Sequence, residues 1–158
     1  NDARKTIPDL QMVVGGKHTF KMRDTYEKWK QQFPDVKFIG LVPDDQMAAH
    51  YSMADVFCTY SFASEGFGIT PIESIACGLP VICSSLPAYK EILQDNAIFV
   101  EPNRPDLLTQ AIVAYFKDSS IKDKILSKAA THIKKYTWDN VADLVEKVYI
   151  NYLEMKKS

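Results

Sequence analysis

Short apolar runs alternate with amphipathic stretches along the first hundred residues. The runs at 10–14, 36–40, 55–60, 79–84 and 97–100 predict buried parallel strands. The stretches at 19–33, 44–53 and 87–94 predict helices, as does the segment that begins at Pro71. Strands that alternate with helices across short connections indicate an α/β fold. We therefore predict a Rossmann-like parallel sheet with helices on both faces.

Two helical stretches carry apolar stripes. On helix 19–33 the stripe consists of Met22, Tyr26, Trp29 and Phe33, and we expect it to pack into the core. The last third of the chain differs from the rest, because three consecutive helices are predicted at 105–117, 119–136 and 138–156. The last of these also has an apolar face, and its outer end is expected to leave part of that face exposed. The fold thus ends in a helical C-terminal tail.

Length and charge narrow the functional classes. A chain of 158 residues predicts one domain, 1–158. Its net charge of −1 argues against nucleic acid as the main partner, since no basic excess exists to neutralise phosphates. No apolar run approaches the roughly 20 residues that span a bilayer. The three cysteines are expected to be buried reduced thiols, and no Cys/His spacing suggests a metal site.

The stretch from Glu65 to Glu73 carries the candidate chemistry. Its two glycines allow a sharp turn, after which Thr70 is predicted as an N-cap, Pro71 as the first helical residue and Glu73 as the third, in a capping box. A glycine loop that leads into a helix N-terminus favours an anion such as phosphate. A carboxylate would repel a phosphate, so Glu65 and Glu73 are expected to bind hydroxyl groups. A nucleotide sugar offers both chemistries.

The run from Glu65 to Glu73, followed by Ala-Cys-Gly-Leu-Pro-Val-Ile at 76–82, resembles a known motif. It is similar to the glutamate-x7-glutamate motif of retaining glycosyltransferases of family 4 (group 1), which have two Rossmann-like domains, the GT-B fold. The resemblance runs from about Asp9 to the C-terminus and corresponds to the C-terminal, donor-binding half. It implies a nucleotide-sugar-binding domain. The chain begins with polar residues and no Met, which indicates an excised fragment or a processed N-terminus. The resemblance implies a fragment that lacks the N-terminal acceptor domain.

The resemblance also implies roles for individual residues. Glu65 would be the catalytic residue that lies against the transferred sugar, and Glu73 would bind the ribose hydroxyls. Leu41 and Val42 would contact the nucleobase through their main chain. Residues that would supply backbone N–H groups to the sugar and diphosphate are Gly66, Phe67, Gly68, Ile69 and Thr70. The turn at Gly15 and Gly16 would lie near the donor, although a plain tight turn explains these glycines equally well.

The expected reaction is transfer of a hexosyl unit from a UDP-, GDP- or ADP-sugar to a saccharide or lipid acceptor held by the other domain. Neither a cofactor nor a metal ion is expected. The family's cationic clamp, an Arg and a Lys, would lie upstream of Asn1, and Arg4-Lys5 does not replace it. The isolated chain is therefore expected to be inactive. By the same resemblance, the parent protein would be cytoplasmic, with peripheral association at the inner face of the membrane.

Two other functions remain open on the sequence. A non-catalytic module could keep this fold for nucleotide binding or protein contact, but such a module has no physical need for two loop carboxylates. Nucleotide-sugar epimerases share the two-domain architecture, and half of such an enzyme is the second alternative. Their signature residues differ from the glutamate motif found here. The last helix could likewise cross to the missing domain or pack on this chain's own sheet.

Overall fold

A computed structural model describes residues 2–17, 20–63 and 65–156. Its five strands and seven α-helices, with three short 3₁₀ helices at Ala3–Lys5, Phe20–Met22 and Ile133–Tyr136, follow the predicted alternation. The strands are β1 Met12–Gly15, β2 Val36–Gly40, β3 Phe57–Thr59, β4 Val81–Ser84 and β5 Ile98–Val100. The α-helices are α1 Arg23–Gln32, α2 Asp44–Ser52, α3 Ile69–Ala76, α4 Pro87–Leu93, α5 Pro105–Lys117, α6 Ser120–His132 and α7 Trp138–Met155. The α/β fold and the helical tail are thus confirmed.

The strands form two parallel sheets among the described residues. One sheet pairs β1 with β2, with Met12 opposite Val36, and the other has the order β3-β4-β5. All the pairings are parallel, as the sequence predicted, and helices follow the strands in the way a Rossmann-like fold requires. The carboxyl ends of parallel strands meet at one edge of each sheet, which is where open α/β folds bind ligands.

Strand β4 lies at the centre of the three-stranded sheet, and all four of its residues are buried. Val81 and Cys83 face one cluster, which α3, α4 and α6 complete. Ile82 faces the opposite cluster, together with Tyr115 of α5. Because successive side chains of a strand point to opposite faces, this short apolar run contributes to both clusters at once. Helices on both faces of the three-stranded sheet follow directly from it.

The first half of the chain is packed more loosely than predicted. Helix α1 has no buried residue, and Met22, Trp29 and Phe33 of the predicted core stripe are exposed. Tyr26 alone of the stripe is half-buried, with its ring edge-on to Phe38 at 5.4 Å between centroids. The expectation that this stripe packs into the core was therefore wrong for this chain. An apolar stripe shows that a helix has a face to cover, but it does not identify the element that covers it.

Helix α7 leaves a large apolar face uncovered, as expected. None of its residues is buried, and its exposed apolar side chains are Trp138, Leu144, Val145, Val148, Tyr149, Ile150, Tyr152, Leu153 and Met155. Exposure begins at Trp138, so it is not confined to the outer end of the helix.

No helix in the described ranges is both long and apolar enough to cross a membrane. The prediction of buried thiols is confirmed for Cys83 but was wrong for Cys58, which is exposed on β3, and Cys77 is half-buried.

Candidate functional site

Glu65 is held by hydroxyl groups in the loop between β3 and α3. Its carboxylate oxygen Oε2 accepts a hydrogen bond of 3.1 Å from the Tyr89 hydroxyl and a longer one of 3.4 Å from Ser61. The Ser61 carbonyl in turn accepts a hydrogen bond of 2.8 Å from the buried Ser84 hydroxyl, which fastens the loop to the end of β4. Glu65 is half-buried. Its carboxylate therefore has a defined position at the carboxyl edge of the sheet.

Gly68 is the residue at which this loop turns into α3. Its φ of +85° lies in the left-handed region that favours glycine. A Cβ at this position would lie 2.6 and 2.9 Å from two ring carbons of Tyr89. Gly66 differs, since it has a negative φ and an added Cβ would meet nothing within 4 Å. Of the two glycines in the motif, geometry demands only Gly68.

Helix α3 begins at Ile69, earlier than predicted. Gly68 occupies the N-cap position, and no side chain caps the helix. The prediction of Thr70 as an N-cap and of a capping box with Glu73 was therefore wrong, because the left-handed turn at Gly68 brings the chain into helical geometry two residues sooner. Pro71 stands at the third helical position and has no N–H. The backbone donors left uncapped at this helix start are thus those of Gly68, Ile69 and Thr70.

A cleft of about 340 Å³ opens at this helix start. It is lined by Thr59, Glu65, Phe67, Gly68, Ile69, Thr70 and Tyr89. None of these seven residues carries a positive charge, so backbone N–H groups and the helix dipole are what the lining offers an anion. The Phe67 side chain is 48% exposed, with its ring edge-on to Tyr136.

Glu73 lies farther along α3 and has a partner that the sequence analysis missed. Its Oε2 accepts a hydrogen bond of 3.0 Å from the hydroxyl of Tyr51 on α2. Burial raises the pKa of Tyr51 well above its usual value, and the nearby Glu73 carboxylate adds to the shift. Tyr51 therefore remains a hydrogen-bond donor across the physiological pH range. The role of Glu73 as a cap is replaced by a contact between two helices.

The remaining predicted residues lie at the ends of β1 and β2. The Gly16 amide donates a hydrogen bond of 2.7 Å to the Gly40 carbonyl, and Gly15 packs so near Val42 that an added Cβ would lie 3.1 Å from it. Leu41 is 66% exposed beside them. The predicted residues thus fall into two groups at the carboxyl edges of the two sheets. Gly15, Gly16, Leu41 and Val42 form one group, and the residues from Glu65 to Glu73 form the other.

Tyr51 and Tyr89 are the site residues that sequence reasoning did not identify. Each lies on a different helix from the glutamate it contacts, and more than twenty positions away along the chain. The pattern around each tyrosine indicates only an amphipathic helix. No set of His, Cys, Asp and Glu side chains among the described residues is grouped so that it could hold a metal ion.

The fold is that of a group 1 glycosyltransferase domain. Residues 2–133 match the family described as "Glycosyl transferases group 1", and the chain belongs to that family. A phosphatidyl-myo-inositol mannosyltransferase of Mycobacterium leprae is 31% identical over 147 residues, which cover 89% of this chain but 38% of the relative. The chain therefore spans well under half the length of that curated relative.

Solved structures show the same fold. A HepE protein of Anabaena, solved in complex with UDP and glucose, superposes with a TM-score of 0.79 at 21% identity, covering 94% of this chain and 44% of that one. The C-terminal domain of LpcC, a group 1 glycosyltransferase of Francisella tularensis, superposes with a TM-score of 0.74 at 24% identity, covering 87% of this chain and 77% of that domain. The chain has the fold of the C-terminal domain of a GT-B glycosyltransferase.

Proposed function

We propose that this chain is the donor-binding domain of a retaining glycosyltransferase that takes a hexosyl unit from a nucleoside diphosphate sugar. The observation that carries the proposal is the pairing of an uncapped helix start with a fixed carboxylate. Gly68, Ile69 and Thr70 offer N–H groups to a diphosphate, while Glu65 stands beside them in the same cleft. A carboxylate next to bound phosphate is suited to a hydroxyl-bearing group, which is the sugar.

In this proposal the site binds the donor from end to end. Glu65 is the catalytic residue against the sugar, and Glu73, steadied by Tyr51, accepts hydrogen bonds from the ribose hydroxyls. Gly66 and Phe67 extend the row of loop N–H groups toward the sugar. Leu41 and Val42 receive the nucleobase through their main chain, and the turn at Gly15 and Gly16 lies near the donor, because all four residues lie at the carboxyl edge of β1 and β2.

The acceptor is assigned to a second domain. The Mycobacterium leprae relative is named as a phosphatidyl-myo-inositol mannosyltransferase, which supports a hexosyl donor and a lipid or saccharide acceptor for the parent protein. The uncovered apolar face of α7 is suited to packing on that domain.

We assign the parent protein to the cytoplasm, with peripheral contact to the inner membrane face, and propose that it needs no metal ion. Hydrogen-bond donors directed at the departing diphosphate would assist the reaction instead.

The isolated chain should bind nucleotide weakly and transfer no sugar. The cleft lining carries no cation, and loss of a hydrogen bond to a charged group costs about 1.5–3 kcal/mol. Chemical-shift mapping with UDP, GDP, UDP-glucose and GDP-mannose tests the site. We expect shifts centred on residues 66–70 and on Glu73, whereas shifts centred on α6 and α7 would contradict the assignment. Rapid sugar transfer by this chain alone would show that one domain suffices.

A further inference from the structure

Tyr89 of α4 reaches the cleft from beneath the glycine loop. It is 1% exposed, yet its ring belongs to the cleft lining. Its hydroxyl oxygen lies 3.1 Å from Oε2 of Glu65 and 3.2 Å from Oγ1 of Thr59. A buried tyrosine hydroxyl requires polar partners, and here both partners also line the cleft.

The direction of these hydrogen bonds follows from the number of protons. A tyrosine hydroxyl has one proton to donate, and an ionised carboxylate can only accept. The Tyr89 proton therefore goes to Glu65, and Thr59 donates its own proton to Tyr89. The three side chains form a directed series from β3, through α4, to the loop carboxylate.

This series acts on one oxygen of the carboxylate. Among the described residues, the hydrogen bonds that reach Glu65 from Tyr89 and Ser61 both end on Oε2. No hydrogen bond reaches the other oxygen, Oε1, from the residues that the structure describes, so its lone pairs are available to a ligand. A carboxylate held by one oxygen presents the second oxygen in a fixed orientation, which a freely rotating side chain does not.

The Tyr89 ring is itself immobilised. It packs against Gly68 so closely that a Cβ there would lie 2.6 Å from a ring carbon. The carboxyl end of α4 is fixed as well, because the Ile92 carbonyl accepts hydrogen bonds from the ring Nε2 of His132 at 2.6 Å and from the Tyr136 hydroxyl at 3.1 Å. The Tyr89 side chain therefore connects the fixed helix α4 to the loop that carries Glu65.

We propose that Tyr89 is a positioning residue, which orients the Glu65 carboxylate and thereby determines how strongly the site prefers a nucleotide sugar over the bare nucleoside diphosphate. This inference rests on the proposed function, since it gives Glu65 the sugar to bind. It adds a specificity-determining side chain that lies outside the glutamate motif. Tyr89 acts through Glu65, so its effect must vanish when Glu65 can no longer respond.

The test is an NMR titration of this chain with UDP-glucose and UDP, and with GDP-mannose and GDP. The quantity compared is the sugar gain, which is the ratio of the affinity for the nucleotide sugar to the affinity for the bare nucleotide. Tyr89→Phe should reduce that gain about tenfold, as expected for loss of a hydrogen bond to a charged group, while affinity for the bare nucleotide changes less than about twofold. In a Glu65→Ala background, which removes the acceptor of the Tyr89 hydrogen bond, Tyr89→Phe should have no further effect on the gain.

Tyr115→Phe is the matched control. Tyr115 is also buried and also loses one hydrogen bond on substitution, the 2.7 Å contact of its hydroxyl with the Asp55 carbonyl, but it does not line the cleft. It should lower the melting temperature and leave the sugar gain unchanged. If Tyr89→Phe behaves in the same way, Tyr89 is merely structural and the inference is wrong.

Thr59→Val provides a second variant that leaves Tyr89 in place. It removes the donor behind Tyr89 and should reduce the sugar gain about two- to threefold, again with no effect in the Glu65→Ala background. If Tyr89→Phe fails to fold, an unchanged gain in Thr59→Val overturns the inference. A wild-type chain that gains nothing from the sugar refutes the proposed function itself. A wild-type gain that depends on Glu65 but not on Tyr89 refutes only the positioning role.

Discussion

Substituting Gly68 by alanine is expected to be the most damaging change in the glycine loop. Two independent effects add at this position. The left-handed backbone, with φ of +85°, costs an L-residue about 1–2 kcal/mol. The new Cβ would also lie 2.6 and 2.9 Å from ring carbons of Tyr89, and overpacking of this kind costs about 1–3 kcal/mol. The free energy of unfolding should therefore fall by roughly 2–5 kcal/mol.

The assay is thermal unfolding of Gly68→Ala beside Gly66→Ala. For a chain of this size, about 2–4 °C per kcal/mol predicts a loss of roughly 4–20 °C for Gly68→Ala. Gly66 is the matched control, because its φ is negative and an added Cβ meets nothing within 4 Å. Its substitution should stay within about 0.5 kcal/mol of the wild type. Equal melting temperatures for the two variants would refute the geometry described for Gly68.

Three further outcomes are expected. Glu65→Gln should abolish sugar transfer by the parent enzyme and leave its affinity for the nucleotide nearly intact. Glu73→Gln should instead weaken the binding of UDP and GDP, as measured by calorimetric titration. Equal losses of affinity in the two variants would contradict the two roles. Gln94→Gly should raise the free energy of unfolding by about 1 kcal/mol, because the φ of 49° and ψ of −122° at Gln94 strain any residue other than glycine. Asn103→Gly, at a φ of 60°, should change the free energy of unfolding little, and urea titrations of both variants test this. Above its ordinary pKa of about 10, Tyr51 loses its proton in the unfolded chain before the folded one, so stability should fall with rising pH, and less steeply in Tyr51→Phe; parallel pH profiles would contradict this.

The sequence predicted those elements whose signals are local. Strand β2 at Val36–Gly40 and helix α5 at Pro105–Lys117 have the predicted boundaries, and the start of α5 is marked by a proline at the first helical position. The alternation of strands and helices was also sufficient to predict the α/β fold. Both signals depend on neighbours within a few positions, which a single sequence displays directly.

The predictions failed where the local conformation or a side-chain contact depends on residues that are distant in the sequence. Helix α3 begins at Ile69 rather than after Thr70, because Gly68 adopts a left-handed turn against the ring of Tyr89. The hydroxyl partners of Glu65 and Glu73 were equally invisible, since they come from other helices. The sequence displays the two carboxylates of the candidate site, and packing shows which side chains contact them.

The sparse packing of the first half of the chain has a consequence for its motions. None of the residues at 12–17 and 21–50 is buried, whereas β4 is wholly buried between two apolar clusters. Regions with few buried apolar contacts open by local unfolding at a small fraction of the global free energy. Amide protons of β1 and β2 should therefore exchange with solvent fastest among the strands. In the proposed site the nucleobase end of the donor would rest on this mobile half and the phosphates on the rigid half, so that bound nucleotide would slow amide exchange mainly around β1 and β2.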